Sequence, residues 1–165
     1  DLRIFFMKKI CYAPIGIVHS EFKEKTNVPI QSVFSVNKGI IEIFPEYSEG
    51  LKDLEGFSHI FLIYHFHLSK GFSLKVTPFL DDVERGIFST RAPKRPNSIG
   101  LSILSIQGIE GNRIFVSGVD IIDKTPVLDI KPYVSHFDYR LDVKNGWISN
   151  KIDKKECLSD NRFSL

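Results

Sequence analysis

Residues 99–119 read IGLSILSIQGIEGNRIFVSGV, which is two runs rich in aliphatic residues separated by a short polar break. The break at 110–112 is typical of a β-hairpin turn, because glycine and asparagine adopt the positive φ angles that tight turns need. Apolar runs of this length between turn residues predict strands. The stretch therefore predicts two neighbouring antiparallel strands, over residues 99–109 and 113–119.

Shorter runs of the same kind predict more strands on the N-terminal side of this hairpin. They cover residues 14–19, 39–44, 58–68, 74–80 and 86–90. Residues 45–54 have a helical pattern, with a proline in the first turn and a glycine just beyond the end. A single helix cannot supply the crossovers of a parallel sheet. We therefore expect an all-β protein, a single-sheet antiparallel β-barrel with one or two short helices, since closure of a sheet removes its exposed edges.

Length and composition indicate one globular domain. A chain of 165 residues, 42% hydrophobic and 25% charged, is large enough for one core. We expect a lead over residues 1–12, a barrel domain over 13–147, and a charged tail over 148–165 that packs little. Residues 1–6 precede Met7, which reads as a natural translation start, and we assign them no role.

Charge and motifs exclude several functional classes. The formal net charge of +2 is too small for binding of nucleic acid through bulk charge, so RNA contact needs a local basic patch or the combined surface of a dimer. Two isolated cysteines, Cys11 and Cys157, indicate neither a disulfide framework nor a zinc knuckle. The G-x-G-x-x-G fingerprint, the P-loop and the G-x-S-x-G elbow are missing. The longest apolar run, residues 60–64, is far shorter than the ~20 residues that cross a bilayer, so we expect a cytoplasmic protein.

Three histidines lie in the strand predicted for residues 58–68. His59, His65 and His67 occupy odd positions, so we expect them on one face, with apolar residues on the other. Two histidines spaced along a strand can bind a metal, but a site also needs a third ligand with supporting partners, and we predict no metal. Two interpretations stay open: hydrogen-bonded histidines at the barrel rim, and a ligand contact by His67.

The loop over residues 90–100 combines positive charge with a restricted backbone. Arg91, Lys94 and Arg95 lie beside two prolines, which fix φ and lower the entropic cost of ordering the loop on binding. Arginine offers a bidentate fork, so the loop is a candidate site for a carboxylate or a phosphate. The alternative is a solvated surface loop with scattered charge.

Residues 119–133 hold three carboxylates among strand-like apolar residues. Asp120, Asp123 and Asp129 are candidates for ligand contact or proton transfer, because carboxylates at the end of a buried strand suit both roles. The competing interpretation is an Asx turn made by Asp123 with the Thr-Pro pair that follows it.

Seven segments, in this order and spacing, resemble the TrmO (TsaA-like) family. They are PIGIVHS at 14–20, KEK at 23–25, PIQ at 29–31, LEGFSH at 54–59, GIFSTR at 86–91, RPNSIGL at 95–101 and TPVLDIKPY at 125–133. The resemblance covers roughly residues 13–147. It implies a β-barrel that binds S-adenosylmethionine, usually as a homodimer, and methylates N6 of threonylcarbamoyl-adenosine beside the tRNA anticodon. Long members carry an extra C-terminal domain, and this chain resembles the short form without it.

The resemblance also implies which residues contact the cofactor. Carried over by motif position, they are Pro29, Ile30, Gln31, His67, Leu68, Arg91, Leu101, Ile121, Ile122, Asp123 and Lys124. We assign Arg91 to the cofactor's carboxylate, because a guanidinium would repel the sulfonium. The family commonly has glycine at the position of Lys124, proline at that of Ser98, and an aromatic or other residue at that of Lys94.

Methyl transfer needs the attacking nitrogen, the methyl carbon and the sulfur nearly in line, so positioning dominates the catalysis. The nitrogen is conjugated to adenine and to a carbonyl and is a poor nucleophile, so a base that removes its proton would help. The candidate bases are Asp129, Asp138 and His67.

For tRNA, Lys94 and Arg95 are expected to contact phosphate, and the exposed adenine is expected to stack on Tyr64 or Tyr133. Two alternative functions stay open. One is transfer from the same cofactor to another RNA base or to a small molecule. The other is a non-catalytic barrel that binds cofactor or RNA.

Overall fold

The structure, a computed structural model, describes residues 9–151, 158–160 and 163. The strands in this part of the chain are β1 (Gly16–His19), β2 (Lys38–Ile43), β3 (His59–His65), β4 (Lys75–Val76), β5 (Arg85–Gly86), β6 (Ile99–Glu110), β7 (Arg113–Ser117) and β8 (Thr125–Pro132). The helices are the four-residue α1 (Ser135–Asp138) and 3-10 segments at Ser32–Phe34, Pro45–Leu51, Leu54–Gly56, Ile87–Ser89 and Gly146–Ile148.

Six strands form one closed antiparallel barrel in the order β1-β2-β7-β6-β3-β8, and β8 pairs back onto β1. The β6–β7 hairpin is present as predicted, with Gly111 at a φ of 59° in its turn. The Asn112 side chain donates a hydrogen bond to the Ile43 carbonyl at 2.6 Å, which ties the turn to β2. The predicted all-β barrel is therefore confirmed.

Alternation of side chains along the strands puts the hydrophobic core inside the barrel. In β3 the even-numbered Ile60, Leu62 and Tyr64 are buried, as the pattern predicts. The core also contains Val18, Ile41, Ile43, Leu51, Leu54, Leu104, Ile114, Val116, Val119, Ile121 and Val127. Each fully buried aliphatic side chain stabilises the fold by ~1.5–3 kcal/mol, so the barrel is a rigid support for the loops at its rim.

Two predicted strands are wrong. The strand predicted for residues 74–80 shrinks to β4, which pairs with β5 in a separate two-stranded sheet. The strand predicted for residues 86–90 is largely a 3-10 turn. The Ser89 and Thr90 hydroxyls donate to backbone carbonyls three residues earlier, at 2.8 and 2.9 Å. Such local bonds favour a turn over an extended strand.

Two other elements differ in their extent. The helix predicted for residues 45–54 consists of two 3-10 segments, which are separated near Asp53, a residue at a φ of 66°. β3 ends at His65, three residues before its predicted end, because the His67 amide bonds to the His65 carbonyl in a tight turn. His67 therefore does not continue the alternation of the strand.

The C-terminal tail packs against the body, contrary to the prediction. The Ser159 amide bonds to the Val28 carbonyl at 2.8 Å, and Phe163 is buried with its ring edge-on to Phe79. The prediction that the tail packs little is wrong for these residues, because Phe163 completes a small apolar cluster outside the barrel. Among the described residues, no helix is both long and apolar enough to cross a membrane.

Candidate functional site

A cleft of about 1260 Å³ lies beside the barrel. It is lined by outward-facing residues of β3 and β6 and by loops from residues 28–35, 66–69, 88–95 and 117–122. Residues of the C-terminal part, among them Trp147 and Phe163, complete the lining. Typical small-molecule pockets measure ~300–1,000 Å³, so this cleft has room for a cofactor and part of a larger substrate.

Nine of the eleven predicted cofactor positions line this cleft. They are Pro29, Ile30, Gln31, His67, Leu68, Arg91, Leu101, Ile121 and Ile122. These residues come from five separate parts of the chain, and barrel closure brings the parts together. Their roles as cofactor contacts stay predictions, and their common position makes the cleft the candidate site.

Arg91 and Gln31 connect two of these parts directly. The Arg91 Nη1 donates to the Gln31 Oε1 at 2.5 Å, across 60 residues of sequence. The bond holds a guanidinium at the cleft, where its other N–H groups are suited to a carboxylate.

Asp123 lies outside this cleft. Its carboxylate accepts bonds from the Ser20 amide at 3.0 Å and from the Lys23 Nζ at 2.6 Å. Burial acts to raise the pKa of Asp123, but these two bonds outweigh it and hold the pKa below its ordinary value. The side chain joins β1's end to the segment before β8 rather than forming a local Asx turn.

Lys124 also lies outside the cleft, and it has a φ of 62°. The left-handed conformation is the one that a glycine adopts without strain. The Lys124 amide bonds to the Val18 carbonyl at 2.8 Å, so the neighbouring strand holds this backbone shape. The lysine therefore keeps the conformation that a glycine at this position would allow.

His67 is held in one tautomer at the cleft. Its Nδ1 is 3.3 Å from the Thr125 Oγ1, and this hydroxyl donates to the Ile122 carbonyl at 2.6 Å. Because the hydroxyl proton is used there, Nδ1 carries the imidazole proton and Nε2 has a free lone pair. Burial, with a smaller contribution from His65, lowers the pKa of His67, so the ring is neutral at pH 7.

The three histidines do not all face the same cleft. His59 and His67 line the cleft, but His65 does not. His59 Nδ1 bonds to the Ser58 hydroxyl at 2.9 Å. In the part of the chain that the structure covers, no three His, Cys, Asp or Glu side chains are grouped closely enough to hold a metal ion.

Of the three candidate bases, His67 alone lines the cleft. Asp129 pairs with Lys131 at 2.9 Å, and Asp138 accepts the Val134 amide at the start of α1 at 2.8 Å. Both carboxylates therefore make local contacts outside the cleft.

The two predicted RNA-binding residues have different surroundings. Arg95 lines the cleft, and its Nη1 donates to the carbonyls of Thr90 at 2.8 Å and Ile87 at 3.2 Å. Arg95 thus fixes the shape of its own loop. Lys94 lies outside the cleft lining, and its positive charge acts on Lys25.

The two candidate stacking residues also differ. Tyr64 is buried in the barrel core, with its ring against Gly100. Tyr133 is partly exposed and its ring contacts those of Phe61, at 5.5 Å between centroids, and His59, at 6.3 Å. Since Phe61 and His59 line the cleft, Tyr133 belongs to an aromatic cluster at its border.

The sequence predicts a site role for Asp120 only as one of three candidate carboxylates, and it predicts none for Ser102. Asp120 lines the cleft, and its Oδ1 accepts a bond from the Ser102 hydroxyl at 2.7 Å. Burial raises the pKa of Asp120 to about 6, against the opposing effect of that bond. The sequence feature that could have indicated this pair is Ser102, because a serine at an inward position of an apolar strand needs a polar partner.

Three lysines form a basic patch near the cleft. Lys25 lines the cleft, and burial together with the charges of Lys70 and Lys94 lowers its pKa. The three belong to different loops, so only the fold brings them close. The patch is thus a local concentration of positive charge on a chain whose net charge is small.

A closed antiparallel barrel with an arginine, a neutral histidine and a carboxylate in one outer cleft defines a class of β-barrel with a ligand-sized cleft on its outside, which is distinct from the α/β nucleotide folds. Residues 17–139 match the family model of the tRNA-methyltransferase O N-terminal domain. The chain therefore belongs to this family, as the sequence predicted.

Named relatives agree with that membership. A probable S-adenosyl-L-methionine-binding protein of Pyrococcus abyssi is 51% identical over 156 residues, which cover 93% of this chain and 85% of the relative. The tRNA (adenine(37)-N6)-methyltransferase of Mus musculus is 40% identical over 133 residues, covering 76% of this chain and 31% of the relative. The crystal structure of TrmO from Pseudomonas aeruginosa superposes with a TM-score of 0.73 at 38% identity, over 85% of this chain and 63% of that one.

Proposed function

We propose that this protein transfers the methyl group of S-adenosylmethionine to N6 of threonylcarbamoyl-adenosine beside the tRNA anticodon. The observation that carries the proposal is that nine motif positions from five parts of a family member's chain meet in one cleft. The relatives' names support S-adenosylmethionine as the cofactor and tRNA adenine as the methyl acceptor.

The residues present fit this cofactor. Arg91 offers a guanidinium for the amino-acid carboxylate, and the apolar side chains of Leu101, Ile121 and Ile122 offer surface for the remainder. Asp120 gives the cleft a negative group that balances a cationic ligand. When bound, S-adenosylmethionine supplies an electrophilic methyl group on a positively charged sulfur.

The surroundings of the cleft suit a nucleic acid. The basic patch of Lys25, Lys70 and Lys94 is expected to contact phosphates. The exposed adenine is expected to stack on the aromatic cluster that contains Tyr133, because Tyr64 is buried in the core. Arg95 contributes indirectly, by holding the shape of the loop that carries Arg91.

Exposed apolar side chains on β6 support a homodimer. Ile99, Leu101 and Ile103 point outward from this strand and are each about 40% exposed, 42%, 44% and 40%. Phe88, on the neighbouring loop, is 77% exposed. Exposed apolar side chains that line one cleft, as these four do, are typical of a contact surface for a partner or a ligand. A dimer formed there would cover part of the cleft.

The proposed substrate also implies a location: an enzyme that acts on tRNA would work in the cytoplasm.

The test is mass spectrometry of nucleosides from tRNA incubated with the protein and S-adenosylmethionine carrying a labelled methyl group. Two tRNA pools are compared, one with and one without the threonylcarbamoyl modification. The expected result is label on threonylcarbamoyl-adenosine in the first pool alone. Label on another base would indicate transfer to a different acceptor, and saturable cofactor binding with no label in either pool would indicate a non-catalytic barrel.

A further inference from the structure

The geometry points to Asp120 as the catalytic base of this cleft, the group that takes the proton which the attacking nitrogen loses on methylation. The inference rests on the proposed function and deepens it. Asp120 is outside the predicted cofactor contacts and is not one of the three named candidate bases, although the sequence predicts it, with Asp123 and Asp129, as a candidate for ligand contact or proton transfer.

Asp120 lies where three parts of the cleft meet. It directly precedes Ile121 and Ile122, and its carboxylate is near enough to the backbone amide of Ser32, the residue after Gln31, for that amide to lower its pKa. Its Oδ1 accepts the Ser102 hydroxyl of β6 at 2.7 Å. The Asp120 carboxylate thus lies at the junction of the segments that are predicted to hold the methyl donor, which is where a base for the attacking nitrogen is needed.

A chain of hydroxyl groups leads from the core to this carboxylate. The Ser102 hydroxyl has one proton and donates it to Asp120, so the Tyr64 hydroxyl, 3.2 Å from the Ser102 Oγ, donates to Ser102. Burial and the nearby Asp120 charge raise the pKa of Tyr64 well above its usual range, so this phenol stays a donor. The two hydroxyls therefore orient the carboxylate and favour its ionised form.

Burial has opposite effects on Asp120 and on His67, the other candidate proton acceptor in the cleft. Burial raises the pKa of Asp120 to about 6, while bonds from Ser102, its own amide and Ser32, with the charge of Arg91, keep the group ionised at pH 7. For His67, burial and His65 lower the pKa, which disfavours the protonated ring. Burial thus favours protonation of Asp120 and opposes protonation of His67.

The proposed step balances in atoms and charge. The nitrogen lone pair forms the new N–C bond as the C–S bond breaks, and the electron pair of that bond leaves with the sulfur. The N–H proton passes to the Asp120 carboxylate, which becomes a neutral carboxylic acid and later releases the proton to water. Of the reacting groups, the sulfonium carries one positive and the Asp120 carboxylate one negative charge before transfer, and both are neutral after it, so the step creates no new isolated charge in a partly buried cleft.

The test compares single-turnover methylation of threonylcarbamoyl-modified tRNA at saturating S-adenosylmethionine, over about pH 5 to 9. Asp120→Asn is expected to lower the rate at pH 7 by about 100-fold or more. Its affinity for S-adenosylhomocysteine is expected to stay within about threefold of the wild type. Glu110→Gln also replaces a carboxylate with an amide, at an exposed residue of the β6–β7 hairpin. This variant is the control and keeps the wild-type rate.

Ser102→Ala provides a second measurement, on a variant that retains the Asp120 carboxyl group but lacks its hydroxyl donor. Loss of the Ser102 donor raises the pKa of Asp120, so the acid limb of the pH–rate profile is expected to move up by about one pH unit. If the acid limb of the pH–rate profile reported the titration of His67, the Ser102→Ala substitution would not move it, since His67 bonds to Thr125. A purely structural role for Asp120 would also leave the limb in place.

The outcomes separate the two proposals. A wild type that methylates modified tRNA, together with an Asp120→Asn variant within about threefold of its rate, overturns the role of Asp120 and keeps the proposed function. An unmoved acid limb in Ser102→Ala overturns the role of Asp120 as well. A wild type that methylates neither tRNA pool overturns the proposed function, and the base with it.

Discussion

The barrel strands and the loops around the cleft are stabilised in different ways. β3 is paired on both sides, to β6 and β8, and its inward side chains are fully buried or nearly so. The loop over residues 90–95 is held by single polar side chains, such as Arg95 on the Thr90 carbonyl and Ser69 on the Pro93 carbonyl. The strands thus depend on apolar burial, and the loops depend on a few hydrogen bonds.

This difference separates stability from ligand binding. A truncation in a strand is expected to lower the free energy of unfolding, because close packing leaves a cavity that relaxes only in part. A truncation at the cleft is expected to lower ligand affinity and leave the free energy of unfolding nearly unchanged, because exposed residues contribute little to it. The following variants test that separation, from the largest expected effect to the smallest.

Leu62→Ala removes a fully buried side chain from the middle of β3. We expect the free energy of unfolding to fall by about 2–5 kcal/mol, from lost burial and the remaining cavity. Denaturation in urea at 25 °C, on wild type and variant, measures it. Leu74→Ala, at a leucine that is 60% exposed, is the control and should change the value by about 0.5 kcal/mol or less. Equal losses for the two leucines would remove the distinction between strands and loops.

Arg91→Ala removes the guanidinium that Gln31 holds at the cleft. We expect the affinity for S-adenosylhomocysteine to fall by about 10- to 100-fold, which corresponds to the ~1.5–3 kcal/mol of a hydrogen bond to a charged group. Isothermal titration calorimetry gives the affinity, and the melting temperature should be nearly constant. Arg113→Ala removes an arginine near Glu42 on the barrel and should leave the affinity unchanged. Unaltered affinity in Arg91→Ala would contradict the assignment of this residue to the carboxylate.

Asp81→Asn tests a loop residue that does affect stability. The hydrogen bond from Lys151, helped by Arg85, holds the pKa of Asp81 well below its ordinary value despite burial. Because the folded-state pKa is the lower one, the ionised group stabilises the fold above the unfolded-state pKa of about 3.9 and loses this effect as the pH falls. Asn should therefore destabilise the protein at pH 7, and its difference from wild type should shrink below about pH 4. Melting curves at several pH values measure this, and a difference that is constant with pH would contradict the pairing.

Lys124→Gly is expected to have the smallest effect. The lysine has a φ of 62°, and relief of this left-handed strain is offset in part by the greater freedom of glycine in the unfolded chain. We expect a gain of about 1 kcal/mol or less in unfolding free energy, measured in urea, with unchanged cofactor affinity. A marked change in affinity would show that Lys124 contacts the ligand from outside the cleft.

Much of the barrel was predictable because its strands follow simple alternation. The even positions of β3 are buried and the β6–β7 hairpin turns at Gly111, as the apolar pattern and the turn residues require. The prediction for 86–90 failed because the Ser89 and Thr90 hydroxyl groups bond locally to the backbone, and a count of apolar residues does not register this.

The site was predictable in part. Family motifs indicated the loops that border the cleft, but local sequence could not pair Asp120 with Ser102, which meet only after the barrel closes. The packing of Phe163 was missed for the same reason, since its apolar partners come from distant segments. Contacts between remote residues depend on topology, and propensity carries no information about them.

The central claim is that one cleft holds the methyl donor among Gln31, His67 and Arg91. Asp120 then lies beside the sulfur and methyl group of that donor. A crystal structure of the protein with S-adenosylhomocysteine tests it most directly. We expect ligand density in this cleft, with the carboxylate at Arg91 and the sulfur facing Asp120. Density in the smaller cleft beside Lys23, or at a place away from Arg91, would contradict the claim.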